Sequence, residues 1–259
     1  MKSKVDIQNL EDERNVMINK VGVKDVRYPI IVDDRENGTQ NTIADLDIFV
    51  ELPHNHRGTH MSRFLEVLNH FHKENFIGNL KEFLREVKLE LNADASYVNI
   101  SFPYFIKKIA PVSKTSSQMS YNCFFSASLN KAYNMIIGVE VPVTTLCPCS
   151  KEISDHGAHS QRSQVMVMLK YNGFIWLEEI IELIEASASS EVYSLLKRED
   201  EKYVTEKAYN NPRFVEDIVR EVTLKLRDDE RITWFKVESE NYESIHNHSA
   251  YACVIQEQE

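Results

Sequence analysis

The chain switches between two hydrophobic periods. "GVKDVRYPIIVDD" and "TIADLDIFVEL" carry β-branched and apolar residues in partial alternation, the pattern of a strand with one covered face. The next segments change period. "HMSRFLEVLNHFHKEN" sets Met61, Phe64, Leu65, Leu68 and Phe71 on one helical stripe, and "NLKEFLREVKLEL" does the same with Leu80, Phe83, Leu84, Val87 and Leu91. "SYVNISFPYFIKK" and "SYNCFFSASL" return to strand. The second half repeats the order. "AYNMIIGVEVPV" and "SQVMVMLKY" read as strands, the latter with Val165, Val167 and Leu169 on one face. Helices are predicted over "WLEEIIELIEASASSEVYSLLK" and "NPRFVEDIVREVTLKLRD", with Asn211 as N-cap and Pro212 in the first turn of the second. "ITWFKVESEN" and "AYACVIQE" close the chain as strands.

The order ββααββ thus occurs twice, over residues 22–130 and 131–259, after a polar, mobile lead over residues 1–21, and without a letter-by-letter repeat. Each half predicts an α+β layer, an antiparallel four-stranded sheet with a helix pair on one face. Open sheet edges invite pairing with other subunits, so an oligomer is expected.

Composition narrows the function classes. With 42% hydrophobic and 27% charged residues and only 7 Gly and 7 Pro in 259, the chain is an ordinary folded protein. A net charge of −10 argues against general binding to nucleic acid or a membrane surface, although a local basic pocket for a small anion is compatible with it. The first twenty residues hold no apolar core of a leader, and no run approaches the ~18 apolar residues of a membrane span, so a cytoplasmic protein is expected. Four cysteines make no disulfide framework. Cys123 and Cys253, in apolar strand patterns, are expected to be small packed hydrophobes.

The chemistry concentrates in "TTLCPCSKEISDHGAHS", which places Cys147, Cys149, His156 and His159 within thirteen positions. Pro148 between the cysteines is expected to hold that segment extended, so that the sulfurs face opposite ways. A structural zinc ribbon needs a second ligand pair that is missing here. One cysteine, one histidine and one carboxylate would instead leave a coordination position open for water, as in a catalytic metal site, with Gly157 easing the hairpin that returns His159 toward Cys147. The bland reading is a solvated loop with a packed cysteine. "SENYESIHNHSAY" groups His246, His248 and Glu243 as a proton-handling set or as a polar turn. Glu216 falls in the first turn of a helix, where most carboxylates serve only to stabilise the helix start. "RGTHMSRF" gathers Arg57, Thr59, His60, Ser62 and Arg63 at a helix start suited to a phosphate chain, without the Gly-Lys-Ser/Thr end of a P-loop. Lys107, Lys108 and Lys114 are further candidates for charge there.

Together "GTHMSRF", "PVTTLCPCSKEIS", "GAHSQRS", "NPRFVEDIVR" and "ESIHNHSAYA" resemble the type IB GTP cyclohydrolases, in this order and nearly end to end. The resemblance implies two tandem tunnelling-fold units that assemble into an oligomeric barrel, a homotetramer with active sites at subunit interfaces. It implies GTP and water as substrates, with 7,8-dihydroneopterin triphosphate and formate as products at the start of tetrahydrofolate synthesis. It also implies one divalent ion per site, Zn, Mn or Fe(II), held by Cys147, His159 and Glu201 with Cys149 close by. Cys147, His246 and His248 would be catalytic, Glu216 would bind the guanine edge, and Arg57, His60 and Arg63 would hold the triphosphate. Two rival readings stay in the same fold: a cyclohydrolase that stops at a cyclic phosphate, and an NADPH-dependent nitrile reductase whose cysteine is a covalent nucleophile. A third, a redox protein exchanging through C-x-C, leaves the histidine cluster and "GTHMSRF" without a purpose.

Overall fold

The computed structural model describes residue 8 and residues 11–71 and 75–258. Of the lead expected over residues 1–21, residues 1–7, 9 and 10 lie outside the described residues, and the first strand is under way by Ile18. The chain groups into two compact units, residues 1–102 with 124–136, and residues 103–123 with 137–259.

The first unit follows the predicted order: strands β1 (Ile18–Asp34) and β2 (Gly38–Leu52), helices α1 (Met61–His70) and α2 (Leu80–Glu90), then parts of β3 (Ser96–Ile109) and β4 (Ser116–Leu129). β1, β2 and β3 pair antiparallel in sequence order. Strict alternation along β2 buries Ala44, Leu46, Ile48, Val50 and Leu52 and leaves the intervening side chains on the other face. The helices supply the covering layer from Phe64, Val67 and Leu68 of α1 and Leu80, Phe83, Leu84 and Val87 of α2. Phe83 meets Phe71 and Phe76 edge-on at centroid distances of 5.6 and 5.1 Å.

Asp34 closes the β1–β2 turn. Its carboxylate accepts from the backbone N–H groups of Glu36 (2.9 Å) and Asn37 (2.7 Å) and from the Gln40 amide (3.1 Å), while Gly38 takes φ +79°. Burial alone would raise this carboxyl, but the hydrogen bonds from Asn37, Gln40 and Glu36 outweigh it and hold its pKa below the usual range. A depressed folded value contributes stability above the unfolded value of ~4 that is lost as pH falls through the folded one. Asp34→Asn is therefore expected to lose about 1 kcal/mol near neutral pH, and its gap in urea midpoint from the parent should narrow below pH ~4. A gap that stays constant between neutral and acid pH would contradict this account.

The second unit contains the remaining parts of β3 and β4, then β5 (Tyr133–Leu146), the short helix α3 (Pro148–Ile153), β6 (Ser160–Tyr171), α4 (Leu177–Glu185), the two-residue β7 (Ser190–Glu191), α5 (Arg198–Asn210), α6 (Val215–Arg227), β8 (Ile232–Asn241) and β9 (Ala250–Glu257). β5 pairs with β6, β6 with β8 and β8 with β9, all antiparallel, and β7 adds to β5. Val139, Val141 and Val143, Val165, Val167 and Leu169, and Phe235 and Val237 share a buried face with Ile180, Ile181 and Ile184 of α4 and Ile218, Val219 and Val222 of α6. The result is α+β with antiparallel strands and helices on one face.

Three local expectations change. The predicted helix from Trp176 to Lys197 ends at Glu185, because the following serines serve other parts of the backbone: the Ser187 hydroxyl donates to Leu183 O (2.8 Å) and Ser189 Oγ accepts from Leu146 N (3.2 Å). A further helix, α5, follows, and Asn211 is its C-terminal cap rather than the N-cap of α6, with Nδ2 donating to Ala188 O (2.8 Å). Cys253 is exposed on β9, on the same outward face as Tyr251 and Ile255, whereas Cys123 is buried and its thiol is pushed well up by burial. Among the described residues no helix is long and apolar enough to cross a membrane.

Candidate active site

The Cys/His loop leaves β5 at Leu146 and returns as β6 at Ser160. Pro148 does not hold an extended segment. It occupies the first turn of α3, where its fixed φ and missing N–H suit a helix start, and Cys147 becomes the N-cap, with Sγ accepting from Ser150 N at 3.4 Å. Gly157 takes φ +78° and lets the chain turn back. The Cys147 N–H donates to His159 O at 3.1 Å, and His159 N–H donates to Ser150 Oγ at 3.2 Å, so the residue types that suggested a metal site are brought side by side.

Behind the imidazole lies a buried polar chain. His159 Nδ1 is 2.9 Å from Gln161 Oε1, the Gln161 Nε2 donates to Thr145 Oγ1 (3.0 Å), and Thr145 and Ser163 share a hydroxyl hydrogen bond of 2.8 Å. Thr145 and Ser163 are fully buried and Gln161 is 8% exposed. The loop between β8 and β9 meets this group. Tyr242 N–H donates to Arg162 O (3.0 Å), and a Glu243 carboxylate oxygen lies 3.8 Å from His159 Nδ1. In the same loop His246 and His248 stack with ring centroids 5.3 Å apart, although the segment is bent rather than extended. Sequence reasoning placed Glu243 with the two histidines but assigned no role to Gln161, Thr145 or Ser163. Strand periodicity was the available signal for Gln161, since a residue two positions after His159 in an extended segment shares its face.

Glu216 sits in the first turn of α6, which is fixed to the same loop: Arg213 N–H donates to Leu146 O at 3.0 Å, next to Cys147. The helix start is capped by Asp217, whose carboxylate accepts from Phe214 N (3.0 Å). Glu216 is exposed and, among the described residues, has no hydrogen-bond partner, so helix capping does not account for it. Glu201 is exposed in the first turn of α5. Its neighbour Asp200 is buried and clamps that turn, accepting from Lys197 N (2.9 Å), Val112 N (2.8 Å), Ser113 N (2.9 Å) and the Ser113 hydroxyl (2.6 Å). The other end of α5 reaches α3, where Lys151 donates to Tyr209 O and lies over the Tyr209 ring at 4.4 Å. Glu201 is eight residues back along that helix, ~12 Å at 1.5 Å per residue. Cys149 is exposed on α3. Among the described residues no three His, Cys, Asp or Glu side chains are grouped so as to hold an ion, and Cys147 and His159 meet through their backbones. The donors themselves, a thiol and an imidazole whose Nδ1 is already engaged, are the types that hold Zn²⁺ and related ions.

The "GTHMSRF" segment lies in the first unit. His60 occupies the N-cap position of α1, and His56, Thr59, His60 and Arg63 line a cleft of about 70 Å³ together with Glu51 and Asn92. Arg63 Nη1 donates to Glu90 O (2.8 Å), which fixes its guanidinium, and Arg57 is exposed. Lys108 does not serve as free charge: it pairs with Glu185 at 2.6 Å, donates to Val192 O and lies 4.5 Å from the Tyr193 ring centroid.

Solved structures of urate oxidase share the fold at low identity: the uricase of Arthrobacter globiformis (TM-score 0.51, 11% identity, 93% of this chain and 94% of that one) and a highly active mutant of the Bacillus sp. TB-90 enzyme (0.56, 9%, 93% and 100%). They show a tunnelling fold and nothing about the reaction. Sequence similarity is much closer to proteins named GTP cyclohydrolase FolE2. That of Geotalea uraniireducens is 55% identical over 96% of this chain and 92% of its own length, and that of Geobacter sulfurreducens 53% over 97% and 98%. The model of the family described as type I GTP cyclohydrolase folE2 matches residues 5–252, a span that contains every candidate residue from Arg57 to His248, and the chain belongs to that family.

Proposed function

We propose that this protein opens the guanine ring of GTP, releasing formate and forming 7,8-dihydroneopterin triphosphate, the entry to tetrahydrofolate synthesis. The observation that carries the reading is identity above half with GTP cyclohydrolases over 96% of the chain. Water adds across the N7–C8 double bond, its hydroxyl to C8 and a proton to N7; the C8–N9 bond then breaks as the hydroxyl proton passes to N9, leaving C8 as a formyl group on N7. A second water cleaves C8 from N7 as formate, and the ribose rearranges and recloses with loss of one water.

Each residue has a part. Glu216 accepts from the N–H groups of the guanine edge and sets the purine's orientation. His246 and His248, stacked in the β8–β9 loop, deliver the proton to N7, a task suited to an imidazole, which has one nitrogen to take up a proton and another to give one up. Arg57, His60 and Arg63 hold the triphosphate. Cys147 and His159, joined by Glu201 and with Cys149 nearby, hold one divalent ion, Zn, Mn or Fe(II), which when bound supplies a Lewis acid and an acidified water. Among the described residues β1 pairs in a ladder with β2 alone, apart from one bridge from Ile31 to Asn75, and β9 with β8 alone; these edges support assembly into a homotetramer of tandem tunnelling-fold units, with sites completed at subunit interfaces.

The test is product analysis after GTP incubation with Zn²⁺, Mn²⁺ or Fe²⁺ added in turn to chelator-stripped protein. Formate and pterin fluorescence are expected together, and only with an ion present. The mass of the pterin separates the linear triphosphate from a cyclic phosphate. Full activity in excess chelator would remove the metal from the reading and favour a thiol nucleophile.

A further inference from the structure

The buried chain behind His159 carries an inference that rests on the proposed metal site and adds a residue to it. We propose that Gln161 is a positioning residue, its amide oxygen taking the Nδ1 proton of His159 and so fixing the imidazole as the tautomer whose Nε2 is bare for an ion. Three features support it. Gln161 Oε1 lies 2.9 Å from Nδ1, while the amide nitrogen is directed the other way, onto Thr145 Oγ1 at 3.0 Å. Thr145 stands opposite Gln161 in the β5–β6 ladder and is itself held by Ser163 at 2.8 Å, so the amide is gripped at both ends in a site almost closed to water. The Glu243 carboxylate oxygen 3.8 Å from Nδ1 adds a negative charge on the side where the proton sits, which opposes a flipped amide and a bare Nδ1.

A free imidazole in water prefers its proton on Nε2, the atom an ion would need. The hydrogen bond at the second nitrogen decides which tautomer is present, and partners of this kind govern affinity and ring orientation in metal sites. A neutral amide does this without adding charge to the ligand set. Gln161 thus acts through His159, and its effect should appear in the tautomer before any turnover is measured.

The experiment uses full-length protein labelled with ¹⁵N at histidine, stripped with chelator and brought to a pH above which its histidine ¹⁵N shifts no longer change. Two-bond ¹⁵N–¹H correlation reads which nitrogen bears the proton, and His159→Gln identifies the His159 signals by their loss. The parent is expected to show protonated Nδ1 and bare Nε2. Gln161→Leu should lose that signature and bind Zn²⁺ roughly 10–100-fold more weakly in competition with a fluorescent chelator. Gln161→Glu keeps an acceptor in place and should retain the signature. The opposite tautomer in the parent overturns the proposal even where the Leu variant does not fold, and so does a folded Gln161→Leu protein with parental tautomer and Zn²⁺ affinity. A parent with the expected tautomer that binds no divalent ion overturns the metal-centre reading instead and leaves the hydrogen-bond assignment standing.

Discussion

Cys147→Ser is expected to give a folded protein that has lost more than ~99% of its formate release and most of its bound divalent ion. Loss of an outer-shell partner already costs 10–100-fold in metal affinity or activity, so loss of the ligand itself should exceed that range. Serine is the informative replacement because Cys147 has two roles. Its sulfur caps α3 by accepting from Ser150 N, and its backbone N–H holds the return strand through His159 O. A serine hydroxyl is among the favoured N-caps and keeps the first role, while as a harder, protonated oxygen it is a poor substitute for a thiolate on Zn²⁺. Cys147→Ala removes the cap together with the thiol, at a helix-cap penalty of about 1 kcal/mol, and like serine keeps the backbone N–H. Comparing thermal midpoints and ion content of the two variants therefore separates folding from ligation. Cys149→Ala, read the same way, assigns the ion to one thiol or both. A Cys147→Ser enzyme with parental formate release would end the assignment of Cys147 to the metal.

Most of the layer architecture was legible because its elements announce themselves by period. The alternation in β2 and the Leu and Phe stripes of α1 and α2 come from the need to cover one face, and that need is written directly into residue spacing. α5 was not legible for the same reason. Only Asp200 and Ala208 of its thirteen residues are buried, so no apolar stripe exists, and the helix start is held by Asp200, whose partners Val112 and Ser113 lie far back in the sequence. Sequence spacing likewise put a serine-rich stretch inside a helix, since it cannot show that the Ser189 hydroxyl is claimed by Leu146 N. At the candidate site the spacing marked the turn that brings the Cys147 and His159 backbones together, and the same loop that holds the two histidines brings Glu243 to His159. Asp200 was not legible, because Val112 and Ser113, which donate to it, are marked by no local pattern; Gln161 carried only the strand periodicity that puts it on the face of His159, and nothing local marks its bond to Thr145.

Glu216 carries the second large effect. Glu216→Gln is expected to lower kcat/KM for GTP by roughly 10²–10³, because hydrogen bonds to a charged partner contribute about 1.5–3 kcal/mol each and an amide offers one acceptor where a carboxylate offers two. The amide's own N–H groups would also face the donors of the guanine edge, leaving buried donors unpaired when substrate binds. The neighbouring carboxylate supplies the control. Asp217 caps the helix through Phe214 N, so Asp217→Asn should lower the thermal midpoint by a few degrees and leave kcat/KM within a few-fold of the parent. Glu216, exposed and without a hydrogen-bond partner among the described residues, should show the reverse. Inosine triphosphate, which lacks the 2-amino group, sharpens the assignment. The parent should prefer GTP over it strongly, and Glu216→Ala should lose most of that preference, the coupling expected when the side chain and the amino group meet each other. Equal discrimination by parent and Glu216→Ala would place guanine recognition elsewhere in the chain.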